Sequence, residues 1–428
     1  MARFFHGTKA PMVRADSRYP LGMLLPASAS RDAARLVMAR ALRGVGDGFA
    51  SVFLATYLRL LGFSVFQIGA IVTAMLVGSA ALTLIVGLAF HRTTARRVLF
   101  LAALLMGITG AGFATLTGFW TLLFVAFIGT LNPSAGDVSV FLPTEQAILA
   151  GESVPRERTA LFARYSLAGA LFGALGALVS GWPEAAARRF GWDLAQAFRG
   201  GFAVYGLLAV FIAVLYRGLK HGTTRANPAA RPTPLRKSRT TVMRLSMLFA
   251  LDSFGGGFVV DSLLAFWLFL RFGLSLQTVG AVFFAARTLA ALSQLVSPRL
   301  AARFGLINTM VFTHIPANVF LMTAAFMPTA GLAVTFLLLR MAFSSMDVPA
   351  RQSYVMTVVP EEERAAAASV TNVPRSLASA ISPLLAGVLL QATTFGWPLV
   401  VGGALKITYD LLLLAQFGKT DSGSPSAL

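Results

Sequence analysis

FQIGAIVTAMLVGSAALTLIVGLAF (66–90) contains no charged residue. As a helix it rises about 1.5 Å per residue and covers the roughly 30 Å hydrocarbon core of a bilayer. Similar runs recur along the whole 428-residue chain, in which 56% of residues are hydrophobic and 12% charged. Soluble proteins carry about 25% charged residues, and a soluble fold this poor in charge would expose large apolar patches. The composition points to an all-α polytopic membrane protein. Twelve spans are predicted, over residues 34–61, 66–90, 98–117, 119–149, 159–182, 199–217, 243–271, 276–298, 306–327, 331–358, 364–391 and 397–417.

A net charge of +19 in a soluble protein would suggest nucleic acid. Here the basic residues gather between Arg3 and Arg43, in HRTTARR (91–97) and in RGLKHGTTRANPAARPTPLRKSR (217–239). These are alternate loops, as the positive-inside rule expects of cytoplasmic segments. No nucleic-acid partner is inferred; the central loop could touch membrane lipid through its anionic headgroups, with a solvated linker as the favoured reading. An even number of spans puts both termini on one side, and the basic segments make that side the cytoplasm of an inner (plasma) membrane. LGMLL (21–25) is too brief for a signal-peptide core, so the N-terminus is expected to be retained. The chain has no cysteine, which excludes disulfides, thiolate metal sites and cysteine nucleophiles.

The Pro-, Arg- and Thr-rich stretch near 217–242 divides the chain. The predicted organisation is a basic tail (1–33), a six-helix bundle (34–217), a linker (218–242), a second six-helix bundle (243–417) and a short tail (418–428). The two bundles resemble each other. GDGF (46–49) matches GGGF (255–258), and GFSVFQIGA (62–70) matches GLSLQTVGA (273–281). LPTEQ (142–146) matches VPARQ (348–352), VPRER (154–158) matches VPEEER (359–364), and SLAGAL (166–171) matches SLASAI (376–381). The offset stays between 205 and 211 residues, so the matches keep their order. Parallel, pseudo-symmetric six-helix repeats are the pattern of rocking-bundle secondary transporters.

On these features the chain resembles the major facilitator superfamily from the first span to the last. That family carries a glycine, an acid and a basic cluster between spans two and three. GLAFHRTTARR (87–97) supplies Gly87, Arg92, Arg96 and Arg97, with His91 where the family has an Asp. PRLAARFG (298–305) keeps Arg299, Arg303 and Gly305 and also lacks the acid. Span five resembles the family's antiporter motif through Gly169, Gly173 and Gly176, with Ala174 where a proline is common. The resemblance leans towards the proton-antiporting drug and metabolite exporters. Glycines at this spacing share one helix face and admit close backbone approach, so helix packing is the alternative reading.

Ionisable residues inside a bilayer are costly and each needs a partner or water. The resemblance places Asp47, Asp137 and Asp347, on spans one, four and ten, beside the substrate path. They are the candidate proton-coupling acids, and permanently ionised structural pairs are the alternative. Asp252 and Asp261 in span seven are nine residues apart, about 900° of continuous helix, so they are expected on opposite faces. The repeat suggests ion pairs Asp137–Arg164 and Asp347–Arg375. Arg287, Arg340 and Arg351 complete the candidate cavity charges, and Arg287 and Arg340 could bind an anionic group. Lys406 and Asp410, four apart, are expected to pair with each other, and His314 to be a hydrogen-bonded packing histidine. Pro143 and Pro349 are expected to bend spans four and ten, with gating or a static kink as the two readings.

HExxH and GxSxG are absent from the sequence, and GKT (418–420) has Leu413 where a P-loop needs glycine. The reading is a secondary transporter, not an enzyme, with no cofactor. It is expected to work as a monomer by alternating access, exporting a small amphipathic molecule or metabolite in exchange for protons. Uptake or exchange of a small organic anion is the alternative.

Overall fold

The structure, a computed structural model, describes residues 29–89, 93–133, 140–149, 152, 155–220, 238–360 and 363–421. Among them the regular elements are helical. The first part of the chain forms α1 (Arg31–Leu60), α2 (Val65–Ala89), α3 (Ala95–Thr115), α4 (Phe119–Ile128) and α5 (Phe141–Leu149). It continues through α6 (Pro155–Leu178), α7 (Trp182–Phe190) and α8 (Leu194–Arg217). The second part forms α9 (Arg239–Gly257), α10 (Asp261–Phe272), α11 (Leu276–Gln294), α12 (Ser297–Phe304) and α13 (Leu306–Phe326). It ends with α14 (Ala330–Ser344), α15 (Asp347–Val358), α16 (Arg364–Ala392) and α17 (Trp397–Asp421).

Helix starts follow ordinary capping chemistry. Ser30 accepts from the amides of Asp32 and Ala33, Asp193 from Gln196, and Ser275 from Thr278. Ten helical stretches among the described residues are long and apolar enough to cross a bilayer, and the apolar α4 is a shorter one. α1 is long enough to do so as well, but Arg43, Asp47 and Arg59 lower its hydropathy.

Before residue 221, α1 packs on α6 and α8, α3 on α8, and α2 on α4. After residue 237, α9 packs on α16 and α17, and α13 on α14 and α17. The chain is thus two helical bundles that meet through α2–α16, α6–α11 and α1–α10. These meetings lie on the side of the molecule away from the termini. There the Phe66 amide donates to Gln391 (3.0 Å) and the Ser262 amide to the Pro133 carbonyl (3.1 Å). A side chain on Gly69 would strike the Pro383 carbonyl of α16, and one on Gly280 the Ala177 carbonyl of α6. On the terminal side, α5 packs on α1, α3 and α6, and α15 on α11, α12, α13 and α16, each within its own bundle.

Two expectations change here. The predicted seventh span is not one continuous helix: it stops at Gly257 and restarts at Asp261. The tenth likewise stops at Ser344 and restarts at Asp347. Pro349 therefore sits in the first turn of a new helix, where its missing amide costs nothing, and not in a bent continuous one. Pro143 has the same place in α5. The break in the tenth span frees the Met346 carbonyl, which accepts from the Ser297 hydroxyl (2.5 Å). A free backbone group at membrane depth needs such a partner.

Candidate functional site

Arg287 of α11 joins the bundles. Its guanidinium donates to Asp261 of its own bundle (2.6 Å), to the Gly173 carbonyl (2.9 Å) and to the Ser51 hydroxyl (3.0 Å) of the other. The approach depends on small residues. A Cβ on Gly48 would stand 2.9 Å from the Arg287 guanidinium and collide with the Gly173 carbonyl. The glycine face of α6 also holds α1: side chains on Gly169 and Gly176 would strike Arg40 and the Val45 carbonyl. Next to Gly48 in the chain, half-buried Asp47 receives the Tyr205 hydroxyl at 3.5 Å. Arg340 of α14 donates to the Met341 sulfur (3.3 Å) and lies within electrostatic reach of Asp261.

Each bundle also contains an internal charge cluster. In the first, Arg43 pairs with Glu145 at 2.5 Å, both fully buried. Glu145 accepts further from Tyr165 (2.5 Å) and Tyr216 (2.6 Å), and the Arg43 guanidinium stacks 4.3 Å from the Phe141 ring centroid. In the second, Arg351 lies 3.2 Å from Asp252 and 3.3 Å from Asp347. These clusters occupy matching positions. Glu145 aligns with Arg351 in LPTEQ/VPARQ, and the register of GDGF/GGGF aligns Arg43 with Asp252. The same registers align Phe141 with Asp347 and Tyr165 with Arg375. The two bundles hold one ion pair at one place with its charges exchanged, and aromatic neighbours in the first become charged neighbours in the second.

The second cluster extends further. Lys406 donates to Asp252 (2.6 Å), and His314 Nδ1 lies 2.9 and 3.0 Å from the two oxygens of fully buried Asp410. His314 Nε2 faces the Asp252 oxygen that Lys406 holds, at 3.8 Å. The expected Lys406–Asp410 pair is therefore replaced: Lys406 reaches α9, and His314 takes Asp410. His314 is buried and hydrogen-bonded as expected, packed on the Tyr409 ring, and it lies between two carboxylates, Asp410 and Asp252.

The other sequence candidates fall as follows. Asp137, His91 and Arg92 lie outside the described residues, and Arg164 is exposed on α6. Arg375 donates to Ser253 (3.1 Å) and lies within electrostatic reach of Asp252 and Asp347. Asp252 and Asp261 do separate, but by the break at 258–260, which the 900° count over a continuous helix did not include. Asp252 faces into its own bundle, and Asp261 meets Arg287 at the junction with the other. Gly87 belongs to α2, close to its terminal-side end. Arg96 donates to the Leu219 carbonyl (3.3 Å) and, with Arg97 and Arg217, lines a groove of about 440 Å³ between α3 and α8. Sequence reasoning missed Arg43 and Glu145. Arg43 reads as the end of the basic tail, yet the offset that matches Gly46 to Gly255 leads from Arg43 to an acid.

The chain matches the description Major Facilitator Superfamily over residues 36–383. It is 25% identical to the uncharacterised membrane protein YJR124C of Saccharomyces cerevisiae, with 92% of this chain and 96% of that protein covered. Its fold is similar to that of a bacterial homologue of the human lysosomal transporter Spinster in an inward-facing, unoccupied conformation (TM-score 0.70, 14% identity). That comparison covers 92% of this chain and 98% of the other. A D-xylose–proton symporter gives a TM-score of 0.72 at 14% identity, covering 89% and 97% of the two chains. With two helical bundles and a charged junction between them, the chain is a multi-pass membrane transporter, not an enzyme, and belongs to the Major Facilitator Superfamily.

Proposed function

We propose that this transporter exports a small amphipathic molecule or metabolite in exchange for protons, as a monomer in the inner (plasma) membrane with both termini in the cytoplasm. The observation that carries the reading is Arg287, which binds Asp261 in its own bundle and Ser51 and the Gly173 carbonyl in the other. An arginine held by both bundles on one side of the molecule acts as a latch for that side. A proton on Asp261 removes the charge that fixes Arg287, and the latch loosens. Half-buried Asp47, the chain neighbour of Gly48, and Arg340 give the junction both signs of charge for a polar substrate group. Asp347 belongs to the charge cluster of the second bundle, and the sequence adds Asp137 to the coupling acids. With the basic terminal side in the cytoplasm, the structure is the inward-facing form, closed on the outside.

The anion reading keeps a place because of Arg340, whose hydrogen-bond acceptor is a thioether sulfur and not a carboxylate. A substrate carboxylate or phosphate would be a stronger acceptor.

The test uses inverted membrane vesicles with an acidic lumen and a pH-sensitive dye, with ethidium, chloramphenicol and salicylate as cationic, neutral and anionic probes. Transporter-dependent loss of the gradient with ethidium or chloramphenicol is the expected result. A response to salicylate and to neither of the others would replace it with the anion reading. Silence with all three, while the protein is inserted and folded, would contradict proton-coupled export of amphipathic compounds.

A further inference from the structure

The clusters of the two bundles share a scaffold but not a chemistry. Around Arg43 and Glu145 stand Phe141, Tyr165 and Tyr216, which near neutral pH keep one charge state. Around Asp252 and Arg351 stand Asp347, Arg375, Lys406, Asp410 and His314, and histidine alone among these types has an ordinary titration range near neutrality. We propose that the His314–Asp410 pair, closed over Asp252, is a second proton-carrying site of this transporter beside Asp261, and that a proton arriving there loosens Lys406 from Asp252. The proposal rests on the proton-coupling reading above and assigns it a place.

The geometry orders the events. An ionised Asp410 accepts only, so its two contacts require the hydrogen of neutral His314 on Nδ1. The lone pair of Nε2 then points towards Asp252, where Lys406 donates to the same oxygen. A proton taken from water on one side of the membrane lands on Nε2 and makes it a second donor to that oxygen. Two cations then compete for one acceptor, and the bond between α17 and α9 weakens. Release of the proton to water on the other side restores the neutral ring, with no other bond made or broken. Because His314 and Asp410 touch, the proton belongs to the pair.

The charged and titratable groups around the ring are these. α17 presents Asp410, Lys406 and Tyr409, and α9 presents Asp252. α15 adds Asp347 and Arg351, which meet Asp252, and α16 adds Arg375. α14 carries Arg340, within electrostatic reach of Asp252, and Arg299 and Arg303 of α12 are exposed. Buried Asp252, Asp347 and Asp410 face the buried cations Arg351 and Lys406 and the half-buried Arg340 and Arg375, so a proton on His314 adds a further cation to the cluster.

The chain has four histidines, at 6, 91, 221 and 314. Replacing the first three with Gln leaves His314 as the one signal in ring-nitrogen NMR of the full chain in nanodiscs. The expected spectrum is an Nδ1–H ring that gains a second proton on Nε2 as the pH is lowered. An Nε2–H ring, or a ring whose charge does not change with pH, would overturn the proposal and leave the coupling reading standing. The second arm repeats the vesicle assay with the probe to which the unmodified chain responds. His314→Gln is expected to lose at least about ten-fold of the proton flux while probe exchange at equal pH persists, and undiminished proton flux would overturn the proposal. Silence of the unmodified chain would instead overturn the coupling reading itself.

Discussion

Glu145 and Arg351 hold the same position in two sequence repeats and carry opposite charges. Each is buried and each has its partner on the first helix of its bundle, Arg43 or Asp252. Removing one member of a buried pair leaves the other uncompensated, at a cost of about 3–5 kcal/mol. Arg43→Ala is thus expected to lower the thermal transition of the purified protein sharply. Glu145→Gln, which can still bond Tyr165 and Tyr216, should cost less, and equal losses in the two variants would count against a charge-based role. Gly48 makes a separate claim at this scale. Gly48→Val would drive a side chain into the Gly173 carbonyl and the Arg287 guanidinium, and overpacking of this kind costs about 1–3 kcal/mol. Much of this was legible: the glycines, Asp47 and Arg287 stand out in an apolar run. Arg43 and Glu145 do not, since one ends a basic tail and the other lies beside a proline. The partners of His314 and Lys406 could not be read because they come from helices distant in sequence, which spacing within one helix does not reveal.

At the scale of the element, the two interrupted spans decide where the charges go. A continuous helix would set Asp252 and Asp261 about two and a half turns apart, on opposite faces of one rod. The break at 258–260 lets α9 face its own bundle while α10 brings Asp261 to Arg287. Nothing in LDSFGGGFVVD announces a restart, because glycine is tolerated within membrane helices as well as at their ends. The break in the tenth span has a visible cause in Pro349, which suits a first turn better than an interior. Ser297, which donates to the Met346 carbonyl at that break, lies 49 residues away in sequence and could not be read from the proline. Ser297→Ala is expected to leave the Met346 carbonyl without that donor and to destabilise by about 1–3 kcal/mol. A change within experimental error in chemical denaturation would show that water replaces the hydroxyl.

For the whole molecule, two bundles, their pseudo-symmetry and their membrane setting follow from apolar runs of bilayer length and five ordered sequence matches. Which side is closed does not follow from sequence, since it depends on contacts between bundles that both ends of the helices could make. In the structure those contacts lie away from the termini, at Gly69, Gly280 and Arg287. The central claim is that these contacts latch one of two alternating states, with Asp261 holding the latch. Because the natural chain has no cysteine, spin labels can be placed at will. One pair, Phe66→Cys with Trp397→Cys, reports the far side, and Arg164→Cys with Leu292→Cys reports the terminal side. Pulsed electron spin resonance in nanodiscs should give a short far-side and a long terminal-side distance. In Asp261→Asn, a longer far-side population should appear together with a shorter terminal-side one. Distances that stay fixed in the variant, or that lengthen on both sides together, would contradict alternating access governed by this latch.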